Sequence, residues 1–100
     1  MRVETTHHID SSEQDENGFY AWRYEYHLFH FLDGEVELIA RSYVDDSPSA
    51  QFLRIKRNGI ACQLTVEDLC LPIFNDAIRH LNTLGKQQLS WLSDTGYAQL

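Results

Sequence analysis

Glycine is too scarce in this chain to build a backbone cradle for phosphate. There are five, none in a G-x-G-x-x-G or G-x-x-x-x-G-K-[ST] pattern, and neither a nucleophile elbow nor a His-Glu-x-x-His is present. Long apolar runs are missing as well. Nothing approaches the roughly 20 apolar residues that cross a bilayer, and Met1 to His8 carries no apolar stretch of the kind that marks a secretory leader. The expectation is a soluble cytoplasmic protein that does not enter a membrane. The two cysteines, Cys62 and Cys70, lie eight residues apart, too far for a zinc knuckle or a redox pair. Cys62 falls in phase with Ile55 and Leu64, and Cys70 lies between Leu69 and Leu71, so both read as reduced, buried and inert thiols.

Positive charge is also short where it would matter for a polyanion. Residues 1 to 46 carry 11 acidic and 3 basic side chains, whereas residues 47 to 100 carry 4 acidic and 5 basic. The acidic half repels nucleic acid and anionic lipid, so no nucleic-acid partner is expected. Five histidines do not make a metal site by spacing. His27 and His30 diverge on a strand, His7 and His8 are adjacent and diverge too, and a pairing of His7 with His27 is not derivable from spacing. The carboxylate pairs Asp15-Glu16, Asp45-Asp46 and Glu67-Asp68 fall in loops or at a helix entrance, with no apolar pocket to raise a pKa. No catalytic residue, metal or cofactor is therefore assigned.

What the chain does contain is strand and helix periodicity. Tyr20, Trp22, Tyr24, Tyr26 and Leu28 alternate with Ala21, Arg23, Glu25 and His27, the pattern of a strand with one buried face. A bulged loop of Leu32, Asp33 and Gly34 would fold it onto a second arm ending at Val44, setting Leu28 against Leu38 and Trp22 against Val44. This register buries the even-numbered aromatics. Met1 to Ile9 alternates weakly as an edge strand, and the wholly polar Asp10 to Gly18 reads as a solvated loop. Asn58-Gly59 signals a second, tight hairpin within Ala50 to Val66, with Leu53, Ile55, Ile60, Cys62 and Leu64 on one face and Phe52 on the other. A separate turn at Glu67 to Leu71 precedes a helix from Pro72 to Leu84, whose stripe is Phe74, Ala77, Ile78, Leu81 and Leu84, with Gly85 closing it. Gln87 to Leu92 reads as a strand.

These elements imply one α+β domain over residues 1 to 100: a mainly antiparallel sheet of four to five strands, formed by two successive hairpins, with one long helix on its aromatic face. Phe29, Ile39, Tyr43 and Phe52 then point away from the helix and are surplus to its core. They are the candidate partner-binding residues of a small, non-enzymatic protein-protein interaction module, with homodimerisation through the outer sheet face as one form. Two other readings follow from the same residues. One is an acidic inhibitor or immunity-type protein that mimics a polyanion; the other is a small-ligand or catalytic domain with its pocket between helix and sheet.

Overall fold

The computed structural model describes residues 1 to 100. Seven strands and one helix follow in the order β1 (Arg2–Ser11), β2 (Arg23–Asp33), β3 (Val36–Tyr43), β4 (Ser49–Arg57), β5 (Ile60–Cys62), α1 (Pro72–Thr83), β6 (Gln88–Ser93) and β7 (Gly96–Gln99). Single turns of 3-10 helix occupy Val44–Asp46 and Glu67–Cys70. All strands join one sheet in the spatial order β1-β2-β3-β4-β6-β7, with β5 on the distal part of the β4 edge that β6 leaves free. The class is α+β, as the periodicities indicate, but the sheet is larger than the expected four to five strands. It is also mixed, because β6 runs parallel to β4.

The helix forms where the sequence marks it. Pro72 occupies its first turn, where a missing N–H costs nothing, and Gly85 follows its end at φ +81°. Ile73, Phe74, Ala77 and Leu81 are buried beneath it, while Leu84, expected in the same stripe, is exposed. The second hairpin also has its expected turn: Asn58 and Gly59 take φ 53° and 81°, the two positive values of a type I′ turn, and Ile55 faces Cys62. The pairing stops at Cys62, so Leu53 and Leu64 never face each other. Cys62 packs at the core margin, but Cys70 is exposed rather than buried.

The central hairpin departs from the expected register. Its loop is Gly34-Glu35, with Asp33 opposite Val36, and Gly34 has φ +61° at the first of the two central positions, as in a type II′ turn. Leu28 consequently faces Arg41, Phe31 faces Leu38 and Tyr26 faces Tyr43. The odd-numbered side chains of β2 are the ones under the helix. Phe29 and Phe31 are 4% and 0% exposed, whereas Trp22 and Tyr24, expected in the core, are 48% and 52% exposed.

A bulge makes the second correction. Ile39 pairs with Arg54 and Ala40 with Phe52, leaving Leu53 as the extra residue on β4. Across a bulge the alternation changes phase, so Phe52 and Ile55 point to the same side and both are fully buried. The core is thus a cluster of 14 buried residues in which Phe29, Phe31, Leu38, Ala40, Phe52 and Ile55 from the sheet meet Ile73, Phe74, Ala77 and Leu81 of α1. Phe52 and Phe74 are in ring contact at 4.4 Å between centroids.

No helix is long and apolar enough to cross a membrane. The longest dimension, 49 Å, is far larger than the other two, 29 and 28 Å.

Candidate interaction surface

The helix covers one face of the sheet. On the other, the even-numbered residues of β1 and β2 meet the odd-numbered residues of β3, and the inverted register gathers the aromatics there. Their rings form a connected series. His8 stacks on Tyr26 at 5.4 Å, Tyr26 meets Tyr43 edge-on at 5.9 Å, Tyr43 contacts Tyr24 at 5.8 Å, and Tyr24 contacts Trp22 at 5.8 Å. Such separations lie within the range of favourable aromatic pairs, so each ring holds its neighbour in place.

Polar contacts fix the series further. The Tyr26 hydroxyl donates to Asp10 Oδ2 at 2.6 Å, and that hydrogen bond, with desolvation and the carboxylate charge, raises the phenol above its ordinary value. Arg41 lays its guanidinium 4.7 Å from the Tyr43 ring centre and donates from Nη2 to the Tyr97 hydroxyl at 2.8 Å. Arg41 Nε and Gln51 Oε1, on residues directly opposite each other across β3 and β4, are buried without a hydrogen-bond partner.

Carboxylates border the aromatic end. Asp45 follows Tyr43 closely in the 3-10 turn and lines a shallow pocket with Arg23, Tyr24, Glu25 and Val44. The segment that returns β1 into β2 adds Glu13, Asp15 and Glu16, held in shape by the Asp15 carboxylate, which accepts from the Asn17 and Phe19 amides at 2.9 Å. Phe19 itself is 69% exposed.

The four residues singled out by sequence do not come together. Ile39 and Tyr43 lie on the open face, but Phe29 and Phe52 are in the core beneath the helix, because the central register and the β4 bulge reverse their directions. Trp22, Tyr24 and Tyr26, expected in the core, lie instead in the ring series on the open face. Their alternation is plain in the sequence, but not the side of the sheet on which they lie.

Other polar groupings have structural explanations. His7 does lie opposite His27, with ring centroids 5.2 Å apart, and its Nε2 is 2.6 Å from Glu25 Oε2, yet no group of three ligand-type side chains has metal-binding geometry. Lys86 Nζ donates to Ser42 Oγ and to the Ser47 carbonyl at 2.9 and 2.7 Å. Burial lowers its pKa, partly offset by Asp46, and the two bonds tie the end of the helix to the β3–β4 connection. A cleft of about 360 Å³ near the carboxyl terminus is lined by Ser49, Gln51, Gln87, Gln88, Ser90 and Gln99, with no ionisable side chain among its walls.

No protein-family model, no curated protein and no solved structure matches the chain.

Proposed function

We propose that the protein is a non-enzymatic binding module whose open sheet face takes a basic segment of a protein partner across Trp22, Tyr24 and Tyr43. The observation that carries this reading is the connected aromatic series on a face that no element of the chain covers. Large, stiff aromatic side chains supply contact area at low entropic cost, and tryptophan, tyrosine and arginine dominate binding energy at protein interfaces. The carboxylates around them choose the partner's charge. Aromatic faces next to Asp45 and Asp10 favour lysine or arginine, whose cations interact with the ring quadrupole and the acids together. Arg41 over Tyr43 shows the same contact made within the chain.

Titration of the protein into a dye-labelled peptide alternating arginine and leucine, followed by the fluorescence anisotropy of the peptide, tests the reading, because the signal is the same for wild type and for a variant lacking Trp22. The double variant Trp22→Ala, Tyr24→Ala should bind about tenfold or more weakly, with an unchanged melting temperature because both side chains are half-exposed. Equal affinity in the variant would refute the aromatic site. If binding also collapses in high salt, the carboxylates alone attract the peptide, as polyanion mimicry requires.

A further inference from the structure

Strand β1 lies at the edge of the sheet and is ten residues long, paired to β2 without interruption from Arg2 opposite Leu32 to Ser11 opposite Arg23. Its outer backbone groups are unpaired. Natural edge strands are usually shortened, bulged, charged or broken by proline; β1 is long, unbulged and without proline or lysine, and its charges, Arg2, Glu4 and Asp10, are of both signs, whereas β5 and β7 are only three and four residues long. We infer that β1 pairs antiparallel with β1 of a second copy, about a two-fold axis at Thr6, so that one sheet continues across the interface.

The register follows from the backbone and the charges. Along a strand, outward-pointing hydrogen-bonding groups occur at every second residue, and an antiparallel pair requires outward residues to face outward residues. A strand pairing with its own copy can therefore shift only in steps that keep odd opposite odd and even opposite even. With Thr6 opposite itself, Arg2 faces the second copy's Asp10, Glu4 faces His8, Val3 faces Ile9 and Thr5 faces His7. Arg2 and Asp10, opposite in charge, meet on the open face. The apolar pair meets on the helix side, where Val3 already packs against the core and Ile9 is 50% exposed. The next permitted shift one way puts Arg2 against His8; the other way puts Glu4 against Asp10, two carboxylates. Both lose the Val3–Ile9 contact. All of these registers are two-fold symmetric, as a pairing between identical strands requires, and only the Thr6-centred one sets Arg2 against Asp10 and Val3 against Ile9.

In the single chain Arg2 is 3.3 Å from its own Glu4, and Asp10 takes the Tyr26 hydroxyl on one oxygen, so pairing exchanges the first contact and uses the second oxygen of the other residue. Even-to-even pairing leaves both helices on one side and both aromatic surfaces on the other, a consequence independent of what those surfaces bind.

Two measurements test the inference. Residues directly opposite across an antiparallel pair have Cα atoms about 4.5 to 5.5 Å apart, within disulfide range. Thr6→Cys should therefore oxidise to a covalent dimer bridged between the two introduced cysteines, located by mass spectrometry of the linked peptides. Thr5→Cys, facing His7, should not. Sedimentation should show wild-type mass rising with concentration toward twice the 11.7 kDa chain. Arg2→Asp or Asp10→Arg alone should weaken association about tenfold through two symmetry-related like-charge pairs, and the double variant should restore it. A wild-type protein monomeric at every concentration, bridging at position 5 as fast as at position 6, or a double variant no better than the singles would each overturn it.

Discussion

Asp68→Ala should destabilise the fold by about 2 to 4 kcal/mol at neutral pH, and the figure can be built from the contacts. Asp68 is 4% exposed, in the 3-10 turn before the helix. One carboxylate oxygen accepts from the Thr65 amide at 2.9 Å and the Thr65 hydroxyl at 3.1 Å; the other accepts from Arg57 at the end of β4. Alanine removes three charge-assisted bonds, each worth roughly 1.5 to 3 kcal/mol when its donor has no substitute. Arg57 has 44% of its side chain exposed and is rehydrated, so its share falls to that of a surface pair, on the order of 0 to 1 kcal/mol. The Thr65 donors, held close to the turn, supply the rest. The pH dependence gives the sharper check. Burial alone would raise the Asp68 pKa, but the hydrogen bonds from Thr65 and Arg57 outweigh it and hold the carboxyl below its ordinary value, while the same pair raises Arg57. A depressed folded pKa contributes stability above the unfolded value near 4, lost as pH falls through the lower folded value. Urea unfolding of wild type and variant at pH 7 and near pH 3 should thus show a gap that narrows in acid. An equal gap at both pH values, or no gap at pH 7, would refute the assignment of Asp68 as an ionised tie between β4 and the helix entrance.

Phe52→Ala should cost about 3 to 5 kcal/mol by urea denaturation, because Phe52 is fully buried against Phe74; a loss below 1 kcal/mol would place Phe52 outside the core. Gly34→Ala should cost about 1 kcal/mol, and Gly34→Asn less, since asparagine tolerates the positive φ of that turn position. A Gly34→Ala melting curve identical to wild type would argue against the type II′ turn. Leu53→Thr, at the bulge and outside the core cluster, should change stability by less than Phe52→Ala by several-fold, and comparable losses would contradict the phase change in β4.

Some of this architecture was legible because a local residue dictates it. Asn58-Gly59 leaves the chain little choice but a tight hairpin, and Pro72 with Gly85 brackets a helix whose apolar stripe recurs every three or four residues. The parallel pairing of β4 with β6 was not legible. It joins Ser49–Phe52 to Gln88–Trp91 across an excursion that includes β5 and α1, and nothing local to either strand names the other. The bulge at Leu53 is hidden for a similar reason: Phe52, Leu53 and Ile55 offer two apolar phases, and only the pairing with β3 decides which is used.

The reversed face of β2 has a different cause, and it decides where the candidate surface lies. Between Leu28 and Leu32 both parities are apolar, and either a three-residue loop ending at Gly34 or a two-residue loop beginning there satisfies the glycine's positive φ. Counting apolar positions favours the longer even-numbered series. Counting polar atoms favours the opposite answer: Trp22, Tyr24 and Tyr26 each carry a group that needs a hydrogen-bond partner when buried, whereas Phe29 and Phe31 carry none. A helix presenting Phe74, Ala77 and Leu81 offers no such partner, so the phenylalanines are the residues it can cover without cost. The tyrosines and the tryptophan are thereby left facing outward, where Tyr26 finds Asp10 and Tyr97 meets Arg41. The same chemistry that excludes them from the core, a large apolar ring with one polar atom, suits them to a surface that is wet when free and covered when bound.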